Sequence, residues 1–288
     1  MRNLIVVGGS GYLGRNIVCD LKSNYDNIFI ISRSRQNERT KKGITHLTFD
    51  ILKHKWDDSL SICFNNTADI ALTAWPSLHD YNDNIHFTFA RSLKRFFDQI
   101  LNFSPRKIYI SGTCFEYSKL SKDIRVLDEL KGRNKYAKAK VWSYNSLLKS
   151  FKENLIGNTS VLYQRIWYLY GRENSSRSLL SMIDNLNRLG KQNNRVENLD
   201  LNSNGEQFLD YVKIDDIISE IKEFFSTDDL NKSFIVSNGC SGIPVKLKNF
   251  IEEYCHENQI NNVRLNWKKD LSKSNYSFYG RKEKIFIK

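Results

Sequence analysis

Leu4-Ile5-Val6-Val7-Gly8-Gly9-Ser10-Gly11-Tyr12-Leu13-Gly14 sets a four-residue apolar run against a glycine-spaced turn, and this stretch decides the fold. An unbroken apolar run suits a strand buried on both faces. Leu13, Ile17, Val18 and Leu21 then recur at helical spacing, so the turn joins a strand to an amphipathic helix. Glycines in such a turn let the chain reverse sharply, let the backbone approach a pyrophosphate and let helix and strand pack closely. The helix N-terminus adds free amides and a partial positive charge for the phosphates. Gly8, Ser10, Gly11, Tyr12, Leu13 and Gly14 are therefore candidate dinucleotide contacts.

Outward from this turn, strands are predicted at 28–31, 46–49, 70–74, 107–111 and 160–166, with helical stripes between them. One stripe carries Ile85, Phe89, Leu93, Phe96, Phe97 and Ile100; another carries Tyr144, Leu147, Leu148 and Phe151. Strands separated by helices imply a parallel sheet, and two βαβαβ halves make a doubly wound α/β (Rossmann) fold. The pattern changes near Gly171. The expected division is a cofactor-binding domain over 1–170, with 207–232 returning to it, and a smaller mixed α/β substrate lobe from 171–206 and 233–288. No internal repeat is visible.

The 288 residues are 40% hydrophobic and 26% charged, a composition of soluble globular chains. A formal charge of +12 suits an anionic partner, or reflects lysine-decorated solvated faces. Cys19, Cys63, Cys114, Cys240 and Cys255 are odd in number and show no CxxC, which argues against a disulfide framework or a zinc site. The five histidines lack metal-ligand spacing, and surface or loop roles are expected for them. The first apolar run is too short for a secretory signal and no stretch approaches a membrane span, so the expectation is a cytoplasmic protein with no membrane partner.

The second strand ends at Ser32-Arg33-Ser34-Arg35, where an NAD-specific chain places a carboxylate for the ribose 2′-hydroxyl. A guanidinium grips a 2′-phosphate instead, so Ser32, Arg33 and Arg35 point to NADP(H), with NAD(H) as the alternative. Tyr136 and Lys140 lie four apart on a predicted helix, which stacks both on one face. An adjacent ammonium is expected to lower the phenol's pKa toward neutrality and make it a usable acid. Thr113, at the carboxyl end of the fifth strand, belongs at the cleft by the rule that open α/β sheets bind ligands there.

Together these motifs resemble the extended short-chain dehydrogenase/reductase family, the sugar-nucleotide epimerases and dehydratases, over nearly the whole chain. The resemblance implies that Asp50-Ile51 contacts the adenine and that Thr73-Ala74-Trp75 lies beside the nicotinamide. It makes Thr113, Tyr136 and Lys140 the catalytic set. Arg165 to Gly171 would enter the substrate lobe, and Gly205 to Asp216 would return from it. Trp75, Cys114, Tyr168 and Gln207 are the implied substrate contacts, and because members often dimerise through the two helices flanking the fifth strand, the resemblance implies a homodimer here.

The chain also departs from the family pattern. In the 4,6-dehydratases the catalytic Thr is followed by Asp and Glu; here Cys114 and Phe115 stand there and Glu116 is out of phase. Many members carry Asn at the place of Tyr168 and Arg at that of Leu209. The implied activity is NADPH-dependent reduction of a nucleoside-diphosphate 4-keto-6-deoxyhexose, with a C4 epimerase as the nearest alternative. A non-catalytic nucleotide- or RNA-binding protein is the third reading. The register of Thr113, Tyr136 and Lys140 argues against it, and so against a nucleic-acid partner.

Overall fold

The computed structural model describes residues 2–33, 43–53, 56, 58–64, 67–118, 123–154, 158–175, 178–228, 232–268 and 277–287. In chain order the strands and helices are β1 (Asn3–Val7), α1 (Tyr12–Leu21), β2 (Asn27–Ser32), β3 (Ile44–Thr48), α2 (Asp58–Ser61), β4 (Asp69–Leu72) and α3 (Ile85–Leu101). There follow β5 (Lys107–Thr113), α4 (Lys135–Glu153), β6 (Ser160–Ile166), β7 (Tyr168–Tyr170), α5 (Leu179–Asn193), β8 (Glu197–Leu201), β9 (Phe208–Leu209) and β10 (Tyr211–Lys213). The last are α6 (Ile214–Ser226), β11 (Phe234–Gly239), β12 (Val245–Lys246), α7 (Leu247–Glu257), β13 (Val263–Trp267) and β14 (Lys284–Ile287).

Eight strands form one sheet in the order β14-β11-β6-β5-β4-β1-β2-β3. Every neighbouring pair is parallel except β11 and β14, which run antiparallel. All five residues of β1 are buried, and alternation sends them to opposite layers. Leu4 and Val6 join a cluster with Ile17 and Leu21 of α1 and Ile217 and Ile221 of α6. Ile5 and Val7 join the other, with Phe89, Phe96 and Phe97 of α3 and Leu147 and Phe151 of α4. The result is the expected doubly wound three-layer α/β fold, with the phenylalanine stripe of α3 in its core.

Two expectations change. The predicted strand over 70–74 stops at Leu72, because its partner β1 ends at Val7; the Thr73 amide and hydroxyl both donate to the Val7 carbonyl, at 2.9 and 3.0 Å, as the last link between the two. Residues 233–288 do not all belong to the small lobe: β11 and β14 extend the main sheet past β6. The cause is apolar burial, since every residue of β11 is buried and needs helices on both sides. The small pairs β7–β10, β9–β12 and β8–β13, with α5 and α7, build the rest of that lobe. Tyr12 donates its phenol to the Gly171 carbonyl, and Arg172 pairs with Asp20 and Asp215, so α1 and α6 are clasped to the lobe's entry. Among the described residues no helix is long and apolar enough to cross a membrane.

Candidate active site

The turn after β1 is built only for glycine. Gly8 has φ of +87°, and a Cβ there would lie 2.6 Å from the Ala74 nitrogen; one on Gly14 would lie 2.4 Å from the Gly8 oxygen. Gly11 caps α1 without a side-chain acceptor, which leaves the first-turn amides for an incoming anion. These residues open a cleft of about 520 Å3 along the carboxyl ends of the strands. Gly8, Ser10, Gly11, Tyr12, Leu13, Gly14, Ser32, Arg33, Asp50, Ile51, Thr73, Ala74 and Trp75 all line it, as do Thr113, Tyr136 and Lys140. A dinucleotide fits this donor set: a glycine cradle for phosphates at one helix end, with an exposed arginine beyond β2. Arg35 lies outside the described residues. A larger cavity of about 720 Å3 on the small lobe, lined by Arg172, Arg188 and Lys191, contains none of these groups. The functional site is assigned by its chemistry to the smaller cleft.

The chemistry converges where β5 meets α4. Asn134 caps α4 by accepting from the Ala137 amide at 2.8 Å, which sets the helical phase that buries Tyr136 and Lys140 together. They are 8% and 4% exposed, and Thr113 at the end of β5 is 8% exposed. The Thr113 hydroxyl lines the same cleft as the Tyr136 phenol and favours its charged form. Lys140 Nζ donates to the Ser111 carbonyl at 2.7 Å and sits 4.0 Å from the centroid of the Trp75 ring, a cation–π contact.

The expected depression of the tyrosine pKa is not found. Burial drives the Tyr136 phenol well above its ordinary value; Thr113 opposes this, and Tyr81, Glu116 and Cys114 reinforce it. The ammonium is committed to Ser111 and Trp75, and desolvation outweighs it. Tyr136 is thus held as a protonated donor. Lys140 is itself pushed down to about 8 by burial, with Glu116 pulling the other way.

This carries a stability consequence. The folded pKa of Lys140 lies below the ordinary 10.5, so between about pH 8 and 10.5 the unfolded chain binds the extra proton. Stability therefore rises with pH across that window, and Lys107, also pushed down to about 8 by burial, adds to the same rise. Lys140→Met removes the buried charge and should raise urea resistance at pH 7 by up to about 3 kcal/mol while abolishing turnover. The gain should vanish near pH 10.5, and a gain independent of pH would contradict the burial account.

Three implied substrate contacts are not brought into the cleft. Cys114 is 3% exposed and packs in the core cluster beneath the 3-10 turn Cys114–Glu116. Tyr168 packs against Tyr211 with the rings tilted and meets Phe115 edge-on, and Gln207 accepts from Ser203 Oγ at 2.8 Å on the small lobe. Leu209 is buried, so the family's arginine position holds an apolar side chain here.

Glu116 is fully buried. It accepts from the Thr113 amide (2.9 Å), the Tyr163 hydroxyl (2.8 Å) and Arg165 Nε (2.9 Å), so it is a structural anchor. Asp50 is the only carboxylate among the described residues lining the cleft. It is engaged locally, accepting from the Leu52 amide at 3.0 Å.

Tyr81 and His86 were missed by the sequence reading. Tyr81 lies in an irregular loop with no periodicity to mark it, yet its ring stacks on Tyr136 at 5.2 Å and 21°. A surface or loop role was expected for His86; it lies in α3 and is fully buried, because it shares the helical stripe of Phe89, Leu93 and Phe97.

The chain matches the NAD dependent epimerase/dehydratase family over residues 4–233. It is similar to a curated dTDP-6-deoxy-L-talose 4-dehydrogenase (NAD(+)) from Aggregatibacter actinomycetemcomitans, 22% identical over 259 residues that cover 90% of this chain and 91% of that one. Among solved structures it resembles a dTDP-glucose 4,6-dehydratase from Bacillus anthracis str. Ames in complex with NAD, with a TM-score of 0.73 and 14% identity, over 98% of this chain and 88% of that one. It also resembles a UDP-glucose 4-epimerase from Thermotoga maritima with UDP-glucose, with a TM-score of 0.72 and 15% identity, over 97% and 90%.

Proposed function

Because the chain belongs to the NAD dependent epimerase/dehydratase family, we propose that it is an NADPH-dependent reductase of a nucleoside-diphosphate 4-keto-6-deoxyhexose. The observation that carries this reading is the convergence of the buried Tyr136 phenol, held protonated by desolvation, with Thr113 and Lys140 in one cleft at the carboxyl end of β5. A ketone becoming an alkoxide needs a proton donor and a hydroxyl to hold its oxygen, and Tyr136 and Thr113 supply them. Dehydration needs a carboxylate beside that pair, and Glu116 is locked to Arg165 instead. The curated relative is named for the C4 oxidoreduction of a 6-deoxyhexose, which supports the same class of chemistry.

Bound NADPH would supply the hydride for the C4 carbon. The glycine turn would hold its pyrophosphate, Ser32 and Arg33 its adenosine ribose, Asp50 and Ile51 its adenine, and Thr73, Ala74 and Lys140 its nicotinamide half. Tyr136 then gives its proton to the sugar oxygen, Thr113 orients that oxygen, and the Lys140 ammonium favours the tyrosinate left behind. Trp75 and Tyr81 form aromatic walls for the hexose.

The test is loss of reduced-nicotinamide absorbance with dTDP-4-keto-6-deoxyglucose and NADPH or NADH. Substrate-dependent oxidation preferring NADPH supports the reading. No oxidation, with nicotinamide retained through purification and turnover without reductant, would instead make it an epimerase. The preference has its own check. Arg33→Ala should lower the NADPH-over-NADH ratio of kcat/KM about tenfold or more, the scale of one charge-assisted hydrogen bond. An unchanged ratio would remove Arg33 from the cofactor site.

A further inference from the structure

His86, in the first turn of α3, has no acid–base partner in the mechanism above, yet it is fully buried and both of its nitrogens are engaged. Trp75 Nε1 lies 3.1 Å from His86 Nδ1, and His86 Nε2 lies 2.9 Å from the Asp80 carbonyl. An indole N–H can only donate and a carbonyl can only accept, so the pair of bonds requires a bare Nδ1 and a protonated Nε2. The imidazole is therefore neutral and in one tautomer. One of the two residues it fixes, Trp75, is a wall of the cleft, and the other, Asp80, carries the wall residue Tyr81. Trp75 lies under the Lys140 ammonium at 4.0 Å. Asp80 precedes Tyr81, whose ring covers Tyr136 and whose carbonyl accepts the Tyr136 amide at 2.9 Å. The loop between them is braced further by Ser77 Oγ on Asp83 (2.8 Å) and by Asp83 on the Ile85 amide (2.9 Å).

We propose that His86 is a positioning residue. Its neutral imidazole holds Trp75 against Lys140 and the Asp80–Tyr81 segment against Tyr136, and so shapes the nicotinamide end of the cleft. The turnover arm of the test rests on the proposed reductase reading; the binding arm does not. Without the His86 bond the indole is free to turn, and Lys140 loses the π face that favours its charged form. Lys140 then faces only the Ser111 carbonyl, the field of Glu116 and the buried hydroxyl of Tyr136, itself flanked by Tyr81 and Cys114.

Isosteric amides separate the two bonds. Asparagine places its carbonyl oxygen where Nδ1 stands and can still accept from Trp75; glutamine places its amide N–H where Nε2 stands and cannot. The measurement is affinity for the tighter of NADPH and NADH, against affinity for the matching ADP-ribose fragment without nicotinamide. His86→Gln should weaken the whole cofactor about tenfold and leave the fragment unchanged. His86→Asn should stay within about threefold on both. Trp75→Phe should reproduce the glutamine result, and the double variant should add nothing to it.

In turnover, His86→Gln should lower kcat about 10- to 100-fold and move the alkaline limb of its pH profile to lower pH, while asparagine restores both. Equal weakening of cofactor and fragment, or a glutamine variant with the wild-type ratio, would overturn the proposal. Wild-type protein that turns over no keto sugar would sink the reductase reading and leave the affinity ratio to decide this one.

Discussion

Tyr136→Phe should leave a folded protein that binds cofactor normally and reduces the 4-keto sugar about 10²–10⁴-fold more slowly, the usual worth of a general acid. The substitution removes one oxygen from a side chain that is 8% exposed and keeps the ring between Tyr81 and Trp75. Packing should therefore survive, and the Thr113 hydroxyl keeps its bond from the Phe115 amide at 3.4 Å. Single-turnover reduction with enzyme in excess separates the chemical step from cofactor exchange. A variant that reduces substrate at near-normal rate in that experiment would remove Tyr136 from catalysis. Since burial holds the phenol protonated, the reductive rate should stay flat across neutral pH and fall only on the alkaline side, where Lys140, pushed down to about 8, gives up its charge.

The second large effect concerns stability. Glu116→Ala should cost about 3–5 kcal/mol, read as a fall in the urea midpoint, because it strands the Arg165 guanidinium in the core. Arg165 is 1% exposed and the carboxylate is its charge partner; Tyr117 OH at 3.3 Å and the Val126 carbonyl at 3.0 Å provide only neutral contacts. The same substitution opens the Thr113 amide and the Tyr163 hydroxyl, two more buried donors. KM for the sugar should move little in whatever protein remains folded. Unchanged stability together with lost activity would mean that Glu116 acts on substrate, and it would reopen dehydration as the reaction.

Much of this was legible before the structure. β1 announces itself by the four consecutive apolar residues Leu4 to Val7, the mark of a strand covered on both faces, and the glycine turn because only glycine fits against Ala74. Tyr136 and Lys140 could be paired from spacing alone, since one helical turn fixes their common face. Other features depend on contacts distant in sequence. β14 is a half-exposed strand of four residues, whose place beside β11 follows from partners 47 or more positions away, Ser237 with Lys284 being the nearest pair. Cys114 looks like a cleft residue from its neighbour Thr113, but the 3-10 turn rotates it into the core. The sign of the Tyr136 shift could not be read from an adjacent lysine, because it is decided by the depth of burial. His86 was within reach: its phase with Phe89 and Leu93 on α3 already said that it faces inward.

The antiparallel edge has a consequence for how the chain is made. β11 is wholly buried in the finished sheet and opens with the apolar run Phe234-Ile235-Val236, with β6 on one side and β14 on the other. During synthesis its second side stays bare until Lys284 arrives, 45 residues after Gly239. At about 5–20 residues per second that delay is roughly 2–9 s. For those seconds the nascent protein offers an open strand edge to any neighbouring chain on the same message. Shortening β14 should therefore show itself first as aggregation during expression, before any loss of catalysis in the molecules that escape it.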